Sequence, residues 1–241
     1  MQGSLIPYFY TLMLDLLTPK YVGHEKLRLG PKEDGGYVVP EVVLEKSCAL
    51  FSYGISWDDR CEHHFVNTYR KPAFLFDHTI KPKEYANPLL TFVPEGLGRG
   101  ENCCDFLHHY KKYQKEGSVF LKIDIEGGEY DYFLNTDIKL ISKLVYGISL
   151  EIHWVDKRSN RDNFMKIMDE LLQYFTLCHV HGNNWSSLWE YKGHQIPQTF
   201  ELSLINKSLV EIETQDDSKY PIPLLDFPNK SDKKDYPLTY I

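Results

Sequence analysis

The segment VFLKIDIEGGEYDYF, residues 119–133, constrains the fold of this chain more than any other. Its first six residues, 119–124, are mostly apolar or β-branched and predict a buried strand. Asp124 and Glu126 follow at the carboxyl end of that strand, and Gly127-Gly128 ends it. A strand that carries carboxylates at its carboxyl end and turns at once into a helix is typical of the ligand-binding edge of an open α/β sheet.

The rest of the chain repeats this arrangement. Counting from residue 49, seven segments predict strands, and the first five alternate with helical patterns, whereas the last two have no clear helix between them. The other six segments are 49–53, 72–80, 89–93, 143–156, the beginning of 176–190, and 198–208. The pattern predicts an α/β fold with one central, doubly wound sheet.

The chain divides into three predicted parts. Residues 1–26 carry an amphipathic helix whose apolar face would pack on the body or on a partner subunit, which is compatible with a homodimer. Residues 27–210 form the single domain, since a chain of 241 residues can bury one sizeable core. Residues 211–241 contain four prolines and a charge cluster, and these predict an extended surface tail.

Charge and cysteine usage narrow the expected partners and compartment. A net charge of −7 gives no basic patch for phosphate backbones, so we expect no nucleic-acid partner. The five cysteines contain no CxxC pair, which favours a reducing, cytoplasmic location. The apolar N-terminal run is too short to cross a bilayer and lacks a basic leader, so we expect no membrane insertion.

The first strand–turn–helix unit, residues 48–71, indicates the kind of cofactor. Only Gly54 is present at the turn, so the segment is not a GxGxxG motif. Asp58 and Asp59 follow, and they would repel a pyrophosphate, which argues against NAD or FAD. Asp77 comes about 23 residues after Gly54, the approximate spacing of an acid that accepts ribose hydroxyls. A cofactor with an adenosine part and a positive charge fits these residues.

The strand order and the motifs VFLKIDIEGGEYDYF and SLEIH resemble the FkbM-type methyltransferases, a family largely of S-adenosylmethionine (SAM)-dependent O-methyltransferases of sugars and related hydroxyls. Three further segments, RLGPKEDGGYVVP, SYGISWDDRCEHHF and IPQTFELSLINKS, resemble a sub-branch related to methyltransferase-like protein 24. The resemblance covers roughly residues 27–208 and implies a Rossmann-like seven-stranded sheet with helices on both faces and an antiparallel last strand.

The resemblance also implies a set of cofactor-binding residues. The methionine part of SAM would lie against the turn after the first strand, the ribose against the acid after the second, and the adenine against the turn after the third. The residues are Tyr53, Gly54 and Ser56 for methionine, Asp77 for ribose, Gly96 and Leu97 for adenine, and Asp124 near the cofactor amine and the transferred methyl group. The first turn, YGISWDD, departs from the family's glycine-rich fingerprint.

A hydroxyl acceptor needs a base, and His153 is the first candidate because neutral imidazole accepts a proton near neutral pH. Glu151 lies on the same strand face and could orient His153 or contact the substrate, and Glu126 is the second candidate base. The alternative is that His153 is a packed structural residue. A divalent metal held by Asp124, Glu151 and His181 is a further alternative, but no tight ligand spacing favours it.

Polar residues near the same sheet edge are candidates for substrate binding. His181, Asn183 and Asn184 follow the sixth strand, and amides that donate and accept suit a polyhydroxy ligand. The sequence HGNN is equally suited to a plain turn. Asp34, in Asp34-Gly35-Gly36, would allow a ligand to approach, and a hairpin turn is its alternative.

The predicted function is SAM-dependent O-methyl transfer to a sugar or glycan hydroxyl, with a saccharide as partner. Methyl transfer to a small non-sugar hydroxyl or amine is the alternative within enzymes. From a different class, the chain could be a non-catalytic scaffold or glycan-binding module built on a methyltransferase fold.

Overall fold

The computed structural model describes residues 13–191 and 193–241. Its central feature is a seven-stranded sheet whose strands are numbered here in chain order. They are β1 (Leu50–Tyr53), β2 (Ala73–Phe76), β3 (Leu90–Val93), β4 (Val119–Ile123), β5 (Val145–Ile152), β6 (Phe175–Gly182) and β7 (Phe200–Asn206). Across the sheet the order is β6-β7-β5-β4-β1-β2-β3.

The strand directions confirm the predicted fold class. The neighbours from β5 through β3 pair in parallel, whereas β7 runs antiparallel to both β5 and β6. The order reverses between β1 and β4, where the chain crosses from one half of the sheet to the other. This is the position at which open α/β sheets bind their ligands, and it is the seven-stranded, Rossmann-like arrangement that the sequence predicts.

Helices cover both faces of the sheet. They are α1 (Glu41–Lys46), α2 (Arg60–Tyr69), α3 (Phe106–Tyr113), α4 (Glu129–Leu134), α5 (Ile138–Ile141) and α6 (Arg158–Tyr174). The buried apolar residues of α1 and α2 belong to one cluster, and those of α3 to α6 belong to the other. Because β4 is covered on both faces, all five of its residues are buried, Lys122 included.

Short two-stranded ribbons surround the sheet. They pair Lys20–Tyr21 with Thr214–Gln215, Lys26–Leu29 with Tyr37–Pro40, Gly96–Leu97 with Cys103–Cys104, and Leu188–Tyr191 with His194–Pro197, and a single 3-10 turn spans Lys207–Leu209. The second ribbon is a hairpin with Asp34 in its loop. The turn alternative for Asp34 is therefore present, and the site below shows that the loop also reaches a cavity.

The structure describes the C-terminal segment of the chain but only part of the N-terminal region. The predicted N-terminal helix falls mostly on residues 1–12, which lie outside the described residues, while Met13 and Leu17 are buried in the core. Residues 211–241 pack against the β6 side of the sheet, and Tyr220, Asp226 and Asn229 are buried there. No helix within residues 13–191 and 193–241 has the length and apolar character needed to span a bilayer.

Candidate active site

Two cavities open at the carboxyl ends of the parallel strands and share Asp124 and Glu126. The first has a volume of about 380 Å³ and lies over the ends of β1, β2 and β4. We call it the cofactor cavity; its lining includes Gly54, Ser56, Asp77, Gly96, Leu97 and Asp124. The second, of about 390 Å³, lies over the ends of β4, β5 and β6, and we call it the acceptor cavity.

The structure brings six of the seven predicted cofactor-binding residues together in the cofactor cavity. Tyr53 is the exception, because its side chain is fully buried beneath the sheet. Its ring stacks on Phe76 at 4.6 Å between centroids, and its hydroxyl lies 3.2 Å from Nδ1 of His109. The structure therefore places Tyr53 in the core rather than on the cavity wall.

Asp77 joins the turns that follow β1 and β2. One carboxylate oxygen accepts a hydrogen bond from the backbone N–H of Ser56 at 2.8 Å. The other accepts from the backbone N–H of Thr79 at 2.8 Å and from its hydroxyl at 2.6 Å. Ser56 has a positive φ of 46°, a conformation that is uncommon for a residue with a side chain. Asp77 thus holds the strained first turn in place beside the cavity.

Gly54 allows the ends of β1 and β4 to come into contact. Its φ is +74°, and a Cβ atom at this position would lie 1.6 Å from the carbonyl oxygen of Asp124. Only glycine fits such a close backbone approach. The glycine that the sequence offers as a cofactor contact is therefore also required by the packing of the two strand ends.

The acceptor cavity is acidic and partly aromatic. It is lined by Asp34, Asp124, Glu126, Glu151, His153, Trp154, Asn183, Trp185, Ser186 and Thr199. Three of the five predicted substrate-binding residues, Asp34, Glu151 and Asn183, are among them. Asn183 donates a hydrogen bond to Glu151 at 2.6 Å, and this contact fixes the position of that carboxylate on the cavity wall.

His153 lies at the centre of the carboxylates. Its Nδ1 is 3.1 Å from Oε1 of Glu129, a carboxylate that is fully buried and also accepts the backbone N–H of Ile125. The opposite nitrogen, Nε2, lies 3.5 Å from Glu126, 3.6 Å from Glu151 and 3.9 Å from Asp124. The buried Glu129 therefore orients the imidazole so that Nε2 is directed into the cavity.

Burial and mutual repulsion shift the pKa values of this cluster. Burial raises the pKa of Asp124 to about 6, against the opposing effect of Lys122 and His153. Burial, then the neighbouring Asp124, raise the pKa of Glu151 well above its usual value. Burial alone would lower the pKa of His153, but the hydrogen bond to Glu129 and the surrounding carboxylates outweigh it and raise that pKa. Acids with such perturbed pKa values in a cleft are typical of functional sites.

The backbone is strained where the two cavities meet. Glu126 and Trp154 both have positive φ values, 52° and 54°. A Cβ atom on Gly127, which separates Glu126 from the helix, would lie 2.6 Å from the Trp154 ring. Strain of this kind persists only where the surrounding structure enforces it, and it concentrates at functional sites.

Two predicted substrate residues hold the C-terminal segment instead. Nδ1 of His181 is 2.9 Å from Glu201 and Nε2 is 2.9 Å from Asp235, so both ring nitrogens are occupied. Asn184 is fully buried, accepts a hydrogen bond from the backbone N–H of Lys230 at 2.6 Å and donates to the carbonyls of Lys230, Lys233 and Lys234. Neither residue lines the acceptor cavity.

Sequence reasoning did not give a role to two charged residues of the site. The sequence pattern gives Glu129 only a place at the start of the helix after Gly127-Gly128, although it orients His153. Lys122 is buried in β4 with its ammonium 5.3 Å from the centre of the Tyr37 ring, and the Tyr37 hydroxyl donates to Asp124 at 3.3 Å. A lysine inside an otherwise apolar strand was the available signal, since buried lysines require a nearby negative charge.

Comparisons with known proteins give distant structural likeness. The Methanococcus jannaschii fibrillarin pre-rRNA processing protein is 10% identical over 68% of this chain and 69% of its own, with a TM-score of 0.38. A fibrillarin/Nop5p complex gives 8% identity, coverage of 67% and 73%, and a TM-score of 0.40. A precorrin-6y C5,15-methyltransferase from Geobacter metallireducens is 11% identical over 69% of this chain and 87% of its own, with a TM-score of 0.36. Likeness at this level does not transfer an activity.

No protein-family model matches the chain, and no curated protein matches it. The resemblance to the FkbM family therefore stays a prediction. The predicted partner, a saccharide or glycan with no nucleic acid, is wrong by these comparisons: the similar structures are a pre-rRNA processing protein, a complex with Nop5p and a precorrin methyltransferase. The prediction failed because the charge of a whole chain and its aromatic content do not define an acceptor.

Proposed function

We propose that the chain is a SAM-dependent methyltransferase that transfers a methyl group to a hydroxyl oxygen of a small acceptor. The observation that carries the proposal is the junction of two cavities at Asp124 and Glu126, at the reversal of strand order in a methyltransferase-type sheet. One cavity has the residues to hold the donor, and the other has groups that can receive a proton.

The cofactor cavity fits SAM chemically. Asp77 lies at the end of β2, where a carboxylate can accept bonds from ribose hydroxyls. Asp124 and Glu126 add negative charge at the junction, which favours a cationic sulfonium. SAM, when bound, supplies a methyl group activated by the positive charge on sulfur.

The acceptor cavity favours a hydroxyl over an amine. Carboxylates surrounding an amine would keep it protonated, and a protonated amine has no lone pair for methyl transfer. A hydroxyl placed among the same groups donates its hydrogen bond and becomes a better nucleophile as its proton moves away. His153 and Glu126 both lie in the cavity and are the groups positioned to receive that proton.

Titration calorimetry with S-adenosylhomocysteine, using NAD as the comparison ligand, tests the donor part of this proposal. We expect saturable binding of S-adenosylhomocysteine and none of NAD. Absence of binding would remove the donor and overturn the proposal.

Incubation with isotopically labelled SAM and a panel of small diols, phenols, amines and ribonucleosides then tests the acceptor. We expect label in a methyl ether on one class of hydroxyl. Label in an N-methyl group would overturn the hydroxyl assignment. Donor binding without any methylated product across hydroxyl and amine acceptors would identify a non-catalytic binding module instead.

A further inference from the structure

We propose that the acceptor cavity binds a divalent cation between Asp124, Glu151 and His153. The inference deepens the proposed function, because the cation would lie where the acceptor hydroxyl must bind. The sequence placed a different histidine, His181, in the candidate metal set. In the structure His181 contacts the C-terminal segment, and His153 lies beside the two carboxylates instead.

The ligand atoms are close enough to share one ion. One carboxylate oxygen each from Asp124 and Glu151, together with a ring nitrogen of His153, lie within 4.8 Å of one another. Nε2 is 3.6 Å from Glu151 and 3.9 Å from Asp124. Adjacent ligands of an ion with bonds of about 2.1 Å are about 3.0 Å apart, so the two distances from Nε2 would have to shorten by less than about 1 Å.

The orientation of His153 is an independent observation that indicates a ligand. The side chain of His153 is 8% exposed. Nδ1 forms a hydrogen bond with the buried Glu129. When Nδ1 carries the proton of the neutral imidazole, the lone pair of Nε2 is directed at the carboxylates. Within residues 13–191 and 193–241, no group forms a hydrogen bond with Nε2. A carboxylate that orients a histidine from behind is the usual support of a metal-binding imidazole.

The acidic lining of the cavity also favours a cation. Four carboxylates line it, those of Asp34, Asp124, Glu126 and Glu151, while no lysine or arginine of the described residues belongs to its lining. Lys122 is not part of the lining, although its charge and that of His153 act on Asp124. Carboxylates gathered in a partly buried cavity repel one another, and a divalent ion offsets this repulsion.

The ligand set selects the kind of ion. Two carboxylates and one imidazole suit Mn²⁺, Fe²⁺ or Zn²⁺ better than Ca²⁺, which prefers oxygen ligands alone. Three protein ligands leave open positions for an acceptor oxygen, whose proton a bound cation makes more acidic.

The cation separates the roles of the two candidate bases. His153 holds the ion, and Glu126 takes the proton because its side chain is 80% exposed and lies 3.5 Å from Nε2 without belonging to the ligand set. The oxygen lone pair forms the new C–O bond, the C–S bond breaks, and its electron pair stays on sulfur as a neutral thioether. The hydroxyl proton ends on the Glu126 carboxylate.

The first experiment measures Mn²⁺ binding to the EDTA-treated full chain. The electron paramagnetic resonance signal of free Mn²⁺ reports how much of the ion is not bound. We expect one saturable Mn²⁺ per chain, and hyperfine coupling from an imidazole nitrogen to the bound ion. Glu151→Gln and His153→Ala are expected to weaken binding by at least about tenfold, and Glu129→Gln by about tenfold. Calorimetry with Zn²⁺, Mg²⁺ and Ca²⁺ ranks the ions, with Ca²⁺ expected to be weakest.

Two control variants make the result specific. Glu126→Gln removes one charge from the same cavity without removing a ligand, and we expect less than about a threefold effect on Mn²⁺ affinity. Asp217→Asn changes an exposed carboxylate outside both cavities and should have no effect. Circular dichroism and thermal unfolding establish that each variant is folded.

The two binding experiments distinguish failure of the cation site from failure of the proposed methyltransferase function. Binding of S-adenosylhomocysteine without saturable Mn²⁺ binding, or equal Mn²⁺ affinity in Glu151→Gln and the unchanged chain, would overturn the cation site and leave the methyltransferase proposal standing. Mn²⁺ binding with nitrogen coupling but no S-adenosylhomocysteine binding would support the cation site and overturn the methyltransferase.

Discussion

Gly54 is the residue at which the strand ends tolerate the least change. In Gly54→Ala, the new methyl group would overlap the carbonyl of Asp124 and occupy a left-handed backbone conformation. We expect the free energy of unfolding to fall by more than about 2 kcal/mol, measured by urea denaturation. Gly98→Ala is the matched control, because Gly98 also has a positive φ, +115°, but a Cβ there meets nothing within 4 Å. Similar losses in both variants would show that backbone conformation, not overlap, controls the cost.

Asp77 is expected to matter for the donor rather than for the acceptor. In Asp77→Asn the side chain keeps its shape, but its amide cannot accept all three bonds from Ser56 and Thr79. We expect the affinity for S-adenosylhomocysteine to fall by about tenfold to a hundredfold, since bonds to a charged acceptor contribute about 1.5 to 3 kcal/mol. Calorimetry measures this directly, with Asp217→Asn as the exposed control. An unchanged affinity would show that the ribose is held elsewhere.

Individual residues were predictable where their position along a strand sufficed. Asp77, Asp124 and His153 each directly follow a strand, and parallel strand ends meet at one edge whatever the details of packing. Tyr53 is the last residue of β1, and its side chain packs in the apolar cluster on the face covered by α3 to α6. Which face a terminal strand residue uses depends on register, so the sequence alone does not assign it.

At the scale of elements, the C-terminal segment is joined to the sheet by Asn184 at the end of β6. In Asn184→Ala, the backbone N–H of Lys230 loses its acceptor, and the carbonyls of Lys230, Lys233 and Lys234 lose a shared donor. Buried groups left without partners cost about 1 to 3 kcal/mol each. We therefore expect a loss of about 2 to 3 kcal/mol in urea denaturation, with the affinity for S-adenosylhomocysteine unchanged.

Asn67→Ala provides the control for this prediction, because Asn67 is exposed on α2. Its replacement should leave stability nearly unchanged. If Asn184→Ala keeps full stability while methyl transfer is lost, Asn184 would be a substrate contact, as the sequence suggested.

The order of elements could be predicted, whereas the docking of the C-terminal segment could not. Strand and helix periodicity are local signals. They predict the seven strands of the sheet and the lack of a helix between the last two. The partners of Asn184 and His181 lie about 50 residues further along the chain. Four prolines and several charges in residues 211–241 indicate only that the segment is not helical. Long-range polar pairing has no periodic signature.

For the whole molecule, the buried His181 gives the folding free energy a distinct pH dependence. Burial alone would lower the pKa of His181, but hydrogen bonds to Asp235 and Glu201, and the nearby Asp226, raise it to about 10. The folded pKa thus exceeds the ordinary value of about 6.5 in the unfolded chain. The stabilisation is fully present below about pH 6.5 and is lost as the pH rises through about 10.

Urea denaturation between pH 6.5 and pH 10 measures this loss, which we expect to reach about 2 to 4 kcal/mol. Buried thiols such as Cys61 and Cys178 also destabilise the fold in this range, because their thiolates form only in the unfolded chain. The difference between the unchanged chain and Asp235→Asn isolates His181, since this variant removes one of its two carboxylates. We expect a weaker dependence on pH in Asp235→Asn, and parallel curves would show that the imidazole is neutral in the folded protein. The neighbouring His179, whose pKa is lowered by burial, affects only the acidic side and leaves this comparison unchanged.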